Sequence, residues 1–406
     1  MQMIFHTIQK YMTSYEPLQP FTPIGITNWR NTNKVFGILS KDRLQHVYAI
    51  GKSGVGKSTL LFNMAYDDIK KGHGIAVLDP HGDVAEKLIR SIPEHRKTDV
   101  IYFDATAPAH RTGFNPFANV PLEQRHLVAS EIVMMFKRIW GDTWGARLEY
   151  ILRFSVLTLL DYPTATLLDI QPLLLDSTFR NLVLHYTDNQ YILSFWHNEY
   201  NNYPATLKAE AIMPILNKAG VFAASETLRE IVGQQYGIDL DGIVNGQKIL
   251  ICNLSKGLIG EDVSQILGSL LTTGLQMASM RRASIAEDKR TPFYIFIDEA
   301  HSFISNSFTT MLSEVRKFGI GLFLTHQYLE QLSGDLQSAI LGNVGTIICF
   351  RLGTADAKIM AEEFYPVFRP DDFINLPRYC MYLRLLIDGS GSKPFSAITQ
   401  KTNVGC

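Results

Sequence analysis

The sequence has few cysteines and no excess of charge of either sign. Its 406 residues include 38 Lys and Arg and 39 Asp and Glu, which gives a formal net charge of -1 at pH 7. No global basic field draws such a chain onto nucleic acid or anionic lipid, so any polyanion that it binds must meet a local basic surface. The four cysteines are scattered without C-x-x-C spacing. This pattern argues against a zinc site or a disulfide framework and favours a reducing compartment.

Long hydrophobic runs and a signal peptide are also missing. Residues 1–11 lack the charged and then apolar pattern of a secretory signal. The most apolar helical stretch, residues 151–175, is interrupted by Arg153, Asp161 and Pro163. It therefore cannot supply the run of about 20 apolar residues that crosses a bilayer. We expect a cytoplasmic protein without a transmembrane segment.

What the sequence does contain is an alternation of short apolar runs and helical patterns over residues 46–104, which resumes over residues 248–350. This alternation predicts an α/β fold with a mostly parallel central sheet. Over residues 121–235 the apolar residues instead recur at three-to-four-residue spacing, which predicts an all-helical insertion. The predicted organisation is an N-terminal arm over 1–40, a first part of the motor domain over 41–120, the insertion over 121–235, and a second part over 236–406.

A phosphate-binding loop follows the first apolar run. Residues 51–58 read GKSGVGKS and satisfy G-x-x-x-x-G-K-[ST] between a predicted strand and a predicted helix. Its glycines let backbone N–H groups turn toward phosphate oxygens, and the helix start adds its positive dipole end. We expect Lys57 to reach the β- and γ-phosphates of ATP and the Ser58 hydroxyl to bind Mg²⁺. The predicted nucleotide-binding residues are Gly51, Lys52, Ser53, Gly54, Val55, Gly56, Lys57, Ser58, Thr59 and Asp79.

Two carboxylates end the apolar run at residues 293–297. Ligands of open α/β sheets collect at the carboxyl ends of the strands, where Asp298 and Glu299 are predicted to lie. Asp298 is expected to bind the metal and Glu299 to orient or deprotonate the attacking water. The alternative is that both acids cap the next helix. Residues 298–301 also spell a DEAH box, but nothing after residue 351 resembles the second tandem domain of DEAH helicases.

Further polar residues follow other apolar runs that are predicted to be strands. Thr325 or Gln327 is placed to hydrogen-bond the γ-phosphate or the lytic water, with a helix cap as the alternative. Asp79 ends another apolar run and is either a metal and water ligand or part of a turn. No arginine lies near the loop in the sequence, but Arg316 and Arg351 flank predicted strands. Either can act as an arginine finger that contacts the γ-phosphate bound by an adjacent subunit, or can form an ion pair at the surface.

The order of these motifs resembles the HerA/FtsK superfamily of P-loop ATPases, and most closely the TraG/TraD-type coupling ATPases of conjugation and type IV secretion. The motifs that carry the resemblance are residues 51–58, 78–83 (LDPHGD), 144–149 (WGARLE), 253–257 (NLSKG), 296–301 (FIDEAH), 316–319 (RKFG) and 324–327 (LTHQ). The resemblance implies a RecA-like fold, bound ATP and Mg²⁺, and Gln327 as a sensor of the γ-phosphate. It also implies an arginine finger matching Arg316 or Arg351, and a homohexamer that threads DNA through its pore. A relaxase, a nuclease or a secretion channel is the kind of partner that it implies.

Two hypotheses about function remain open from the sequence. The first is a ring-forming, ATP-driven DNA translocase of conjugative transfer or a related process. The second is an ATPase that acts on a protein substrate or assembles a secretion or defence complex, which the near-zero net charge favours. Lys256, in a Gly-flanked segment, is the best candidate for a DNA contact. Trp196 and Tyr200 can stack on bases, but their helical spacing favours core packing.

Overall fold

The computed structural model describes residues 21–28, 33–107, 111–304 and 308–400. The chain divides into two compact units. The first comprises residues 1–102, 241–253 and 278–406, and the second comprises residues 103–240 and 254–277. No helix in these described ranges is long and apolar enough to cross a membrane.

The central sheet has 11 strands, and two further short strands form a separate ribbon. The strands are β1 (Phe21–Thr27), β2 (Val35–Leu39), β3 (Val47–Ile50), β4 (Gly74–Asp79), β5 (Val100–Asp104), β6 (Ile249–Asn253), β7 (Phe293–Ile297), β8 (Ile320–His326), β9 (Thr346–Cys349), β10 (Cys380–Arg384), β11 (Leu386–Ile387), β12 (Ser390–Gly391) and β13 (Phe395–Thr399). Their order in the central sheet is β2-β1-β13-β10-β9-β3-β8-β7-β4-β6-β5, with β11 and β12 in the ribbon.

The middle of this sheet is parallel. Strands β9, β3, β8, β7, β4 and β6 pair in parallel, whereas β10, β13, β1 and β2 continue the sheet with antiparallel pairs. Every residue of β3, β4, β6, β7 and β8 is buried. Continuous apolar strands are typical of parallel sheets that are covered on both faces. The predicted α/β fold with a mostly parallel sheet is confirmed.

Residues 21–27 and 35–39 differ from the arm that was expected over residues 1–40. They form β1 and β2, which extend the sheet, while residues 1–20 lie outside the described part of the chain. The pairing of these strands shifts register between Pro23 and Gly25. Proline within a strand is confined to edges and bulges, and it weakens the apolar alternation by which a strand is predicted. The prediction of an unpatterned arm is therefore wrong for this segment.

Helices surround the sheet within the first unit. Those that lie wholly or mostly in it are Ser40–Arg43, Lys57–Lys70, Asp83–Ser91, Leu240–Asn245, Phe308–Glu314, Gly334–Asn343, Thr354–Glu363 and Pro370–Ile374. The core of this unit includes buried residues of Lys57–Lys70 packed with residues of β3 and β4, such as Leu61, Phe62 and Val77.

The second unit is helical apart from the end of β5. Its helices are Arg125–Ile139, Ala146–Asp161, Ile170–Leu175, Ser177–Leu184, Gln190–Ser194, Ala205–Ala224, Glu226–Val232, Lys256–Ile259 and most of Glu261–Arg281, with a π-helix at Phe195–Glu199. Trp196 and Tyr200 are completely buried, and their polar atoms donate to Thr158 Oγ1 at 2.8 Å and to the Leu174 carbonyl at 2.7 Å. Both residues belong to the core, as their spacing predicts.

Candidate nucleotide-binding site

The phosphate-binding loop connects β3 to the helix Lys57–Lys70. The chain reverses through Gly54 and Gly56, whose φ angles of 72° and 128° are positive. The φ angle of Gly56 favours glycine, and a Cβ atom there would also make tight contacts, 3.1 Å from Phe350 and 3.2 Å from Tyr379. No side chain caps the start of the helix. Its first N–H groups are therefore available to an anion.

Lys57 lies at the centre of the site. Its Nζ donates to the carbonyls of Gly51 at 2.7 Å and Lys52 at 3.2 Å, and it lies 3.8 Å from Glu299 Oε1. Burial lowers the pKa of Lys57, and the charges of Glu299 and Asp298 act in the opposite direction. The loop thus holds a buried cation beside the carboxylates, where a phosphate can replace the carbonyl contacts.

Ser58, in the first turn of the helix Lys57–Lys70, faces Asp298 at the end of β7. The Ser58 hydroxyl donates to Asp298 Oδ2 at 3.2 Å, and the Thr325 hydroxyl donates to Asp298 Oδ1. Burial raises the pKa of Asp298, whereas the bond from Thr325 lowers it. A hydroxyl and a carboxylate are hard oxygen donors of the kind that Mg²⁺ prefers, so this pair fits a magnesium ion that also binds phosphate.

Glu299 is buried and has a left-handed backbone conformation with φ 46° and ψ 54°. Its N–H donates to Thr325 Oγ1 at 3.0 Å, which supports this uncommon conformation. Its Oε1 accepts a hydrogen bond of 2.9 Å from Gln327 Nε2. The structure therefore places the predicted base and the predicted sensor in direct contact.

Asp79 takes part in the turn that follows β4. Its carboxylate accepts backbone hydrogen bonds from His81 at 2.9 Å, Val84 at 2.8 Å and Ala85 at 3.0 Å. Burial raises the pKa of Asp79, and the backbone bonds from Ala85 and His81 act against that shift. The carboxylate thus holds the start of the helix Asp83–Ser91 while the residue also lines the site.

A cleft of about 340 Å³ brings most of these residues together. Its lining residues are Ser53, Gly54, Gly56, Lys57, Ser58, Thr59, Asp79, His81, Asp83, Val84, Asp298, Glu299, Gln327, Arg378 and Tyr379. Of the predicted nucleotide-binding residues, Gly51, Lys52 and Val55 do not line the cleft.

Arg378 and Tyr379 were missed by the sequence analysis. Arg378 Nε donates to the Gly54 carbonyl at 2.9 Å, and the Tyr379 N–H donates to the Val55 carbonyl at 2.8 Å. No arginine lies near the loop in the sequence, but the fold brings Arg378 beside it. Arg378 is more than 300 residues away along the chain, and no local pattern marks it.

Arg316 and Arg351 are absent from the cleft lining. Arg351 follows β9, and its carbonyl accepts a hydrogen bond of 2.9 Å from the Lys52 N–H. Arg316 is exposed and precedes β8, so it lies toward the amino ends of the parallel strands. Its charge contributes to lowering the pKa of His46, which directly precedes β3 at that same edge. Arg316 is thus one strand length from the cleft.

The chain is similar to known proteins in part of its sequence and in its fold. Residues 6–143 match the family model described as Type IV secretory system Conjugative DNA transfer. The predicted resemblance to conjugative coupling ATPases is confirmed. No curated protein sequence matches the chain.

Solved structures share the fold over almost the whole chain. Bacterial conjugative coupling protein TrwBdeltaN70 in its unbound monoclinic form has a TM-score of 0.67 at 14% identity, covering 97% of this chain and 91% of its own. Plasmid coupling protein TrwB in complex with the ATP analogue ADPNP has a TM-score of 0.66 at 14% identity, covering 97% and 92%. VirB4 of Thermoanaerobacter pseudethanolicus has a TM-score of 0.63 at 12% identity, covering 96% and 98%. These identities are low, so the likeness establishes the RecA-like fold with its helical domain.

Proposed function

We propose that this chain is an ATP-hydrolysing motor that forms a ring, as a homohexamer, and translocates DNA in conjugative transfer or a related process. The observation that carries the proposal is the match of residues 6–143, which include the phosphate-binding loop, to the conjugative DNA transfer family. TrwB, which shares the fold, has been solved with ADPNP and with ADP and Mg²⁺. The proposed location is the cytoplasm, and a relaxase or a secretion channel is the kind of partner proposed.

The cleft supports hydrolysis of ATP. Lys57 and the N–H groups of the loop compensate the phosphate charge, and Ser58 and Asp298 would hold Mg²⁺, which would neutralise charge that develops on the phosphates. Water attacks the γ-phosphorus, the bond to the β–γ bridging oxygen breaks, and Glu299 accepts the water proton. Gln327 keeps Oε1 of Glu299 in place through its 2.9 Å bond.

The test compares ATP turnover without nucleic acid, with single-stranded DNA and with duplex DNA. We expect at least one form of DNA to raise the rate. The Glu299→Gln variant is the matched control, because it preserves the size of the side chain and should bind ATP without hydrolysing it. A wild-type rate that no nucleic acid changes contradicts DNA translocation, and the absence of turnover contradicts the motor.

Lys256 is the proposed contact with DNA. It begins the short helix Lys256–Ile259, next to the exposed Gly257 and Leu258. Other basic clusters are engaged within the protein: Arg96 pairs with Asp99 at 2.9 Å, and Arg282 is buried and donates to backbone carbonyls. Lys256→Ala should therefore weaken DNA binding and reduce its salt dependence more than replacement of Arg96 by alanine does.

The second candidate is an ATPase that acts on a protein substrate or assembles a secretion or defence complex. The net charge of -1 favours it, because nothing in the overall charge attracts DNA. Binding of labelled DNA by the ATP-loaded Glu299→Gln variant separates the two candidates. A mobility shift that weakens with salt supports the DNA motor, and no shift at low salt supports the second candidate.

A further inference from the structure

His301 and Gln331 connect Glu299 to the end of β8. Gln331 Oε1 accepts the backbone N–H groups of Gln327 at 3.1 Å and Tyr328 at 3.2 Å. The side-chain nitrogen of Gln331 lies 3.1 Å from His301 Nε2, and His301 Nδ1 lies 3.6 Å from Glu299 Oε2. The contacts thus run from the predicted base, through an imidazole and an amide, to the backbone beside the predicted sensor.

These contacts determine which nitrogen of His301 carries the proton. An amide oxygen can only accept hydrogen bonds, and two backbone donors fix the position of Gln331 Oε1. Gln331 Nε2 must then be the group that faces His301, and it can only donate. His301 Nε2 is therefore the acceptor. In the neutral imidazole the proton consequently lies on Nδ1, on the side of Glu299.

Glu299 lacks a hydrogen bond where His301 faces it. Its Oε1 accepts from Gln327, but its Oε2 is buried without a hydrogen-bond partner among the described residues. A separation of 3.6 Å exceeds a hydrogen bond, but a small side-chain rotation closes it, and contacts of catalytic groups commonly tighten as the reaction proceeds. The Nδ1–H of His301 is thus a donor next to a buried acceptor that needs one.

We propose that His301, held by Gln331 as the Nδ1–H tautomer, is a positioning residue that orients the Glu299 carboxylate toward the attacking water. Gln327 holds one carboxylate oxygen and His301 the other, which fixes rotation of the carboxylate about its terminal bond. This inference rests on the proposed hydrolysis of ATP. It assigns a role to the histidine of the DEAH sequence that does not depend on helicase ancestry.

Two isosteric variants test the role. The amide of asparagine can place a donor where Nδ1 lies, whereas the amide of glutamine reaches the position of Nε2. We expect His301→Gln to lower kcat about tenfold or more with unchanged affinity for ATP, and His301→Asn to retain most of the turnover. A simple space-filling role predicts similar losses in both variants. Equal losses, or a loss of affinity in place of turnover, would overturn the proposal.

The tautomer can be measured without catalysis. Imidazole ¹⁵N shifts of the full chain labelled at histidine distinguish protonated from unprotonated ring nitrogens, and the signal that His301→Asn removes identifies His301. We expect Nδ1 protonated and Nε2 unprotonated. In the Gln331→Glu variant, one carboxylate oxygen still accepts the backbone hydrogen bonds, and the other faces His301 as an acceptor. His301 Nε2 should then become protonated. A wild-type Nε2–H tautomer would refute the assignment.

The two measurements separate this inference from the proposed function. If the wild-type chain does not hydrolyse ATP, the proposed function fails and the tautomer is still determined from the spectra. If the wild type hydrolyses ATP and Glu299→Gln does not, but His301→Gln keeps full activity, the role of His301 fails alone.

Discussion

Lys57 gives the most direct test of nucleotide binding at the scale of one residue. Its ammonium group is already desolvated and bound to the carbonyls of Gly51 and Lys52. We expect Lys57→Ala to raise the Kd for ATP roughly tenfold or more, because the phosphate charge then loses a buried, charged donor. Titration with a fluorescent ATP analogue measures this change. Lys70→Ala, at the exposed end of the same helix, is the control, and equal affinities in both variants would contradict the assignment.

The residues that the sequence predicted are those whose roles follow from a local pattern. Lys57 and Ser58 occur at fixed positions after three glycines, and Asp298 and Glu299 directly follow an apolar strand. Arg378 could not be found in this way, because its contact with Gly54 depends on how a distant loop folds back onto the site. The same is true of the bond between Gln327 and Glu299, since it depends on β7 and β8 being neighbours.

At the scale of elements, the central strands could be predicted and the sheet edge could not. Strands such as β7 and β8 are continuous apolar runs, because both of their faces are buried. In β1 the burial alternates irregularly and includes Pro23, and its partners in the sheet are β2 and the distant β13. The stability of such a strand comes from pairing with remote segments, which a local pattern does not record.

His46 joins three elements and makes stability depend on pH. His46 lies just before β3. Its Nε2 bonds to the carbonyl of Leu312, in the helix Phe308–Glu314, at 2.9 Å, and its Nδ1 accepts a hydrogen bond of 3.1 Å from the N–H of Leu322 in β8. Burial lowers the pKa of His46 to about 4, and the charge of Arg316 acts in the same direction while the bond to Leu312 opposes it. The folded chain therefore keeps His46 neutral at a pH where the unfolded chain binds a proton.

The sign of the effect follows from these pKa values. The contribution of His46 is fully present above the unfolded pKa of 6.5 and is lost as the pH falls toward about 4. This loss is about 3 kcal/mol of unfolding free energy in full. Urea unfolding at several pH values measures it. His46→Asn is the matched variant, because asparagine tolerates the φ of 64°. A pH profile for this variant parallel to that of the wild type would contradict the prediction.

The loop before β10 is expected to contribute to nucleotide binding. Arg378 donates to the Gly54 carbonyl and lines the cleft, so its guanidinium lies near the place of the phosphates. Because the side chain is exposed, solvent weakens its effect, and we expect Arg378→Ala to raise the Kd for ATP roughly threefold to tenfold. The same fluorescence titration applies, with Lys358→Ala on an exposed helix face as the control. An unchanged Kd would contradict this prediction and would show that Arg378 only holds the phosphate-binding loop in place.

At the scale of the whole molecule, Arg316 and Arg351 differ in their relation to the cleft. Arg351 bonds through its carbonyl to Lys52, at the carboxyl ends of the strands. Arg316 lies at the opposite edge, roughly 13 Å away if β3 rises at the usual 3.3 Å per residue. A residue that cannot reach its own cleft but is exposed can reach the cleft of a neighbouring subunit. We therefore expect Arg316 to be the finger that acts between subunits.

Mixed assemblies test this expectation, because a finger serves a site in another copy of the chain. Arg316→Ala should bind ATP normally but lose turnover by roughly 10³-fold. When it is mixed with the wild type, activity should fall more steeply than the wild-type fraction, since each variant subunit disables a neighbour's site. Lys317→Ala, which removes the adjacent exposed cation, should leave the rate unchanged, and Arg351→Ala should not reproduce the steep fall. A decline proportional to the wild-type fraction would show that each subunit completes its own site.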